Sequence, residues 1–207
     1  MRYLNGGIAG VALVLALACS DSTSSDGGGT KPPSQLNFLT LAPTAPDLCE
    51  TSISFWAFRG VGVDTALQFP EPGDDCLGSR EDFLRLKLDQ ASLKAYPDGT
   101  PIQFGDSVLI TMSWVGNDSI LFHLEPTGLL FDPAHPAELK IDYGEAGDDL
   151  DGDGDIDADD DSVERRLDIW RQPTLADDYQ KVGIAKFEDL DEIEADLNGF
   201  SRYAIAY

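Results

Sequence analysis

The sequence predicts an all-β chain, a single antiparallel β-sandwich carrying one inserted acidic loop and a short helix, and three observations lead there. Short runs of alternating apolar and polar residues recur along most of the chain, the period of a half-buried strand. Gly, Pro, Asn and Asp separate those runs at regular intervals, which marks turns. From Leu36 to Tyr207 there is neither an internal repeat nor a second linker, and about 170 residues suffice for one domain with its own core.

The first 18 residues carry one basic residue, Arg2, and an apolar run from Ile8. That run, about eleven residues, is too short to cross a bilayer and has the form of a secretory signal. It ends Leu15-Ala16-Leu17-Ala18-Cys19, which resembles the lipobox of bacterial lipoproteins, with Ala16 where leucine is more usual. The resemblance implies a signal peptide over 1–18, lipidation of Cys19 and anchoring to a membrane. Ser20 rather than Asp after the cysteine implies the outer membrane. Residues 19–35, including the small-residue and proline-rich SDSTSSDGGGTKPPS, read as a flexible tether, because such a composition buries too little apolar surface to order itself. With Cys19 assigned to lipid, Cys49 and Cys76 are left in an oxidising compartment and are expected to pair, which stabilises a loop of this size by roughly 3.5 kcal/mol.

The strands follow in order. Residues 51–58 alternate Ile53, Phe55 and Ala57 against Ser52, Ser54 and Trp56; Gly60-Val61-Gly62 turns the chain; Val63, Thr65, Leu67 and Phe69 continue. The pair reads as a hairpin. Leu84, Leu86 and Leu88 alternate with Arg85 and Lys87. Val108, Ile110, Met112 and Trp114 form one face of a strand that Gly116-Asn117-Asp118 turns into Ile120, Phe122 and Leu124. Leu139, Ile141 and Tyr143 face inward against Glu138, Lys140 and Asp142; extended structure resumes at Leu167. The acidic segment between them therefore reads as an insertion between neighbouring strands, with a short helix over Ala158–Arg166. Residues 192–197 fit both a helix and a strand period; Asn198-Gly199 ahead of a final strand favours the strand.

One stretch is chemically specific. Residues 149–160 read D-L-D-G-D-G-D-I-D-A-D-D, matching a twelve-residue calcium loop: oxygen donors at positions 1, 3, 5, 7, 9 and 12, glycine at 6 and an aliphatic residue at 8. Those places hold Asp149, Asp151, Asp153, Asp155, Asp157 and Asp160, with Gly154 and Ile156 between. Position 7 would offer its backbone carbonyl and position 9 would act through water, so Asp155 and Asp157 are the weaker side-chain ligands. So many carboxylates at close range repel one another unless a cation neutralises them, and a flexible all-oxygen cage suits Ca²⁺ better than Mg²⁺. The loop resembles those of EF-hand and dockerin-type proteins. Gly144 and Gly147 interrupt the approach, so no helix precedes it, and a lone loop of this kind acts as a structural clip rather than a sensor.

Charge narrows the partners. With 14 Lys and Arg against 38 Asp and Glu, the chain has a formal net charge of −24; nothing here neutralises phosphates, so nucleic acid is excluded. Catalysis is not expected. The only histidines are His123, on the polar side of a strand, and His135, between prolines in a loop. Gly199-Phe200-Ser201 lacks the final glycine and the following helix of a nucleophile elbow. The alternative reading is a surface glycan hydrolase or carbohydrate-binding protein, which a shared exposed face of Trp56, Trp114 and Trp170 would favour.

Gly128-Leu129-Leu130-Phe131-Asp132-Pro133, Pro136-Ala137-Glu138-Leu139-Lys140-Ile141-Asp142-Tyr143 and the ending Phe200-Ser201-Arg202-Tyr203-Ala204 resemble the β-sandwich domain of ankyrins, netrin receptors and tight-junction scaffolds. That resemblance, which covers roughly Leu84 to Tyr143 and Leu167 to Tyr207, implies a non-catalytic interaction or assembly module and brings no active-site residues; the expected partner is a protein or a glycan. The expected protein is a lipid-anchored, calcium-stabilised extracytoplasmic binding or structural module.

Overall fold

The structure, a computed structural model, describes residues 29–187 and 190–207; the signal segment and Cys19 lie outside them. In chain order the elements are β1 Thr30–Lys31, β2 Ser52–Phe58, β3 Val63–Pro70, β4 Arg80–Leu88, β5 Leu93–Ala95, β6 Ser107–Trp114, β7 Leu121–Glu125, β8 Leu130–Phe131 and β9 Ala137–Asp142. Helix α1, Ala158–Glu164, is followed by β10 Asp168–Gln172, β11 Tyr179–Lys181, β12 Ile184–Phe187, β13 Glu192–Leu197 and β14 Arg202–Ala206. They form a seven-stranded sheet in the order β1-β11-β10-β14-β7-β6-β2, a five-stranded sheet in the order β12-β13-β9-β4-β3, and a small β5-β8 ribbon. The assembly is the antiparallel β-sandwich that the alternation predicts.

Period two sorts the side chains. Across the five-stranded sheet Leu67, Leu84, Ile141 and Ile193 stand in one row, and Thr65, Leu86, Leu139 and Ala195 in the next. All but Thr65 are buried in the main core. The outer face of the same strands carries the ion pairs Arg85–Asp64, Lys87–Glu138 and Lys140–Glu192. A bulge between Leu67 and Gln68 lets Leu67 face Leu84 and Gln68 face Asp82, so Phe83 is the extra residue. Phe83 and Leu84 thus both turn inward. The Phe83 ring packs on Phe69 at 4.7 Å and crosses to the other sheet, against Phe122 at 5.2 Å and Trp114 at 6.5 Å.

Two connections differ from the sequence expectation. β2 pairs with β6 and β3 with β4, so Gly60-Val61-Gly62 arches from one sheet to the other and does not close a hairpin. Periodicity could not separate the two cases, because in both the inward residues Ile53, Phe55, Leu67 and Phe69 face the core. The acidic segment likewise connects β9 of the five-stranded sheet to β10 of the seven-stranded sheet, a crossover between layers and not an insertion between neighbours.

The described end of the segment expected to be a tether, residues 29–35, joins the fold. Thr30 and Lys31 pair with Gln180 and Tyr179, while Leu36 and Phe38 pack with Trp170, Tyr179 and Ala204 in a second apolar cluster. The sheet thus gains its edge strand from residues whose composition alone reads as unstructured. Cys49 and Cys76 form a disulfide, Cα–Cα 5.3 Å, joining the approach to β2 to the β3–β4 connection.

Candidate metal centre

The loop leaves β9 through Tyr143, makes a short turn over Gly144–Ala146 and reverses at Gly147, φ 76°. Two more left-handed residues follow, Gly152 at φ 76° and Gly154 at φ 95°, a conformation glycine adopts without penalty. They aim their amides at opposite oxygens of one carboxylate: Gly152 N–H donates to Asp149 Oδ1 at 2.9 Å and Gly154 N–H to Asp149 Oδ2 at 3.0 Å. The next two carboxylates are held the same way. Asp153 N–H donates to Asp151 Oδ1 at 3.1 Å, and Asp155 N–H to Asp153 Oδ1 at 2.9 Å. Asp149, Asp151 and Asp153 each offer a carboxylate oxygen within 4.8 Å of the others, a group that could hold a metal ion.

Of the six residues the sequence singled out, the structure brings those three together. Asp155, Asp157 and Asp160 stand outside the cluster, and the last two have other partners. Asp157 is the N-cap of α1: its carboxylate accepts from Asp159 N–H at 2.7 Å. Asp160, at the third helical position, closes a capping box by accepting from Asp157 N–H at 2.8 Å. Its other oxygen accepts from Leu150 N–H at 2.7 Å and Asp151 N–H at 3.2 Å. Asp160 is buried and clamps the loop to the helix. Nothing in the spacing distinguishes a ligand at position 12 from a cap, because both roles ask for a carboxylate just inside a helix.

The electrostatics follow from those contacts. Asp160 is held below the usual carboxylate range by the Asp157 amide first, then those of Asp151 and Leu150, which together outweigh its burial. Asp151 moves the other way. The Asp153 amide lowers it, yet lost hydration and the charges of Asp153, Asp160 and Asp149 leave it raised. Behind the loop, burial pushes Asp142 up to about 6 against the pull of the Gly144 amide, and Glu81, Glu192 and Asp191 add to the rise. The donor set is oxygen alone, which suits a hard cation.

The helix docks the loop on the core through buried Val163 and a hydrogen bond from the Tyr143 hydroxyl to Glu164 Oε1 at 3.0 Å. Beside the loop lies a groove of about 790 Å³ lined by Leu41, Leu48, Trp114 and Ile156, with Asp47, Asp118 and Asp148 also in its lining. Three distant stretches build it, so no local sequence signal could have found it.

The remaining sequence candidates have plain roles. His123 Nε2 lies 3.0 Å from the Thr127 hydroxyl, and His135 Nδ1 lies 3.6 Å from Asp89. Ser201 accepts from Arg171 Nε at 3.0 Å, and the chain runs from it straight into β14. The tryptophans share no face. Trp170 is buried in the outer cluster, Trp114 packs against the main core, and Trp56 is exposed.

No family model, curated protein or solved structure matches this chain.

Proposed function

We propose that the chain is a lipid-anchored extracytoplasmic β-sandwich in which one Ca²⁺, held by Asp149, Asp151 and Asp153, clips the crossover between the sheets, and that it serves as a binding or structural module. The observation that carries this reading is the convergence of three carboxylates on one loop, each already oriented by a backbone amide. Preorientation lowers the entropy lost on binding. Three carboxylates leave room for a backbone carbonyl and water in a coordination shell of six to eight oxygens, which Ca²⁺ tolerates. Because Asp160 is engaged with amides, the affinity belongs at the weak end, about 10⁻⁴ to 10⁻³ M, where extracellular modules operate.

The disulfide fits an oxidising compartment, and the Leu15–Cys19 pattern supports a lipid anchor at an outer membrane. The resemblance of residues 84–143 and 167–207 to the ankyrin- and netrin-receptor-type domain supports a non-catalytic interaction or assembly role, for which the proposed partner is a protein or a glycan. Calorimetric titration of Ca²⁺ into the chelator-treated chain tests the metal site. One binding event is expected, lost in the double variant Asp149→Asn/Asp153→Asn; absence of binding in the unsubstituted chain overturns the reading. Mass spectrometry of the N-terminal peptide tests the anchor: a diacylglyceryl-modified Cys19 is expected, and a free Cys19 in the envelope fraction refutes it.

A further inference from the structure

The two main sheets present four edges: β1, β2, β3 and β12. Exposed edges invite pairing with another chain, and proteins blunt them with short strands, charge or proline. Three of these edges are blunted so. β1 has two residues and carries Lys31; β12 has four and carries Lys186; β3 carries Asp64 and ends in Pro70. The fourth is bare. β2 is seven residues long, Ser-Ile-Ser-Phe-Trp-Ala-Phe, with neither charge nor proline.

Its hydrogen-bonding phase follows from the bonds that flank the ladder. Trp114 N–H donates to Thr51 O at 2.8 Å and Arg59 N–H to Asp106 O at 3.0 Å. With Ser52 opposite Ser113 and Phe58 opposite Ser107, Ile53, Phe55 and Ala57 turn their N–H and C=O towards β6. Ser54 and Trp56 therefore turn theirs to the open edge, and among the described residues no strand pairs there. The sheet's outer surface beside that edge is also uncharged. Ser52 bonds Ser113 and Ser54 bonds Thr111, both at 2.8 Å. Next to them Trp56 is 60 % exposed, its cross-strand neighbour Leu109 47 % and Phe58 44 %.

We propose that β2 is the docking edge for a second copy of this chain, the two β2 strands pairing antiparallel about a twofold axis into one continuous sheet. Charge selects the occupant. On a chain of net charge −24, most faces would set carboxylates against carboxylates in a self-complex, whereas a basic partner would be drawn to those faces and not to this one. A long uncharged edge suits a partner as acidic as the chain itself. Full overlap of the seven residues centres the axis on Phe55 and sets Ser54 opposite Trp56 of the second copy, so the outward backbone groups meet in phase. Such an isologous contact closes on itself, and the edges it leaves, β1, β3 and β12, are the blunted ones.

Sedimentation velocity on the purified chain from roughly 1 to 100 µM, in salt sufficient to screen the net charge, tests this. The expected result is a monomer–dimer equilibrium that is unaffected by chelator, which separates it from the metal site. Ser54→Pro removes one outward N–H without touching the β6 ladder, and Trp56→Lys adds a charge to the face. Each is expected to weaken the dimer at least about tenfold while far-ultraviolet circular dichroism and a cooperative thermal melt are retained. If Ser54→Pro fails to fold, Trp56→Lys decides. A chain that stays monomeric across the range, or a dimer that the folded variants leave intact, overturns the proposal.

Discussion

Chelating the Ca²⁺ proposed for the acidic loop should lower the melting temperature by an amount fixed by mass action. The loop's carboxylates already have amide partners: both Asp149 oxygens, one oxygen each of Asp151 and Asp153, and both Asp160 oxygens. The loop therefore keeps its shape without the ion, and binding at the site would add RT ln(1 + [L]/Kd) to the stability of the fold. At about 2 mM Ca²⁺ and a Kd of about 10⁻⁴ M, that is about 1.8 kcal/mol. For a sandwich of this size it corresponds to a melting shift of roughly 4–7 °C. Each further tenfold in Ca²⁺ adds about 1.4 kcal/mol. Scanning calorimetry in chelator and across a Ca²⁺ series measures it. Any divalent cation also screens a net charge of −24 and raises stability without a site, so the same series is run on Asp149→Asn/Asp153→Asn. That variant should retain the screening part, follow ionic strength alone and respond equally to Mg²⁺. A parent chain whose melt moves by less than about 1 °C, or a variant whose Ca²⁺ response equals the parent's, refutes the reasoning.

Two further outcomes follow from the same contacts. Asp142 titrates at about 6 in the folded chain against an ordinary 3.8, so the folded state binds the proton more tightly. Its contribution is full below about pH 4 and lost as pH rises through about 6. Asp142→Asn should therefore flatten the fall in stability between pH 4 and 7 and raise stability at pH 7 by about 1 kcal/mol, allowing for solvent screening; denaturant melts at both pH values check it. Phe83→Ala should cost about 3–5 kcal/mol, because its ring bridges the two layers, whereas Arg85→Ala, on the exposed outer face, should cost at most about 1 kcal/mol. Equal costs would mean that the core does not run through Phe83.

Period two made most strands legible, because Leu84, Leu86, Leu139 and Ile141 advertise one buried face wherever their partners lie. It could not say which strand pairs with which. Residues 51–58 and 63–69 read as a hairpin, yet they stand in opposite layers, since an arch and a hairpin demand the same alternation. Alternation does not reveal Phe83, because a bulge breaks the period just where the residue matters most. Composition does not reveal that Thr30 and Lys31 belong to the fold, because they gain their order from β11, a partner far along the chain. In the acidic loop, Asp149, Asp151 and Asp153 met as the spacing requires, while Asp157 and Asp160 serve the helix cap. The twelve-residue pattern and the capping box overlap in sequence, so one carboxylate can satisfy either.

The length of that crossover is itself an argument for the ion. β13 passes to β14, also from one sheet to the other, through Asn198–Ser201 alone. The passage from β9 to β10 makes the same change of layer over Tyr143–Leu167, so geometry does not require the extra residues. Nor do they add much core: of the stretch from Asp148 to Asp161 only Asp160 is buried. A long connection costs little loop entropy, but packing it with carboxylates adds repulsion that folding by itself gives no reason to accept. Asp151 feels that repulsion: against the pull of the Asp153 amide, lost hydration and the charges of Asp153, Asp160 and Asp149 leave it raised, and a divalent cation among the first three aspartates would relieve it. The segment that the sandwich needs least is thus the one whose chemistry is most specific, and the proposed cation would account for both its length and its charge.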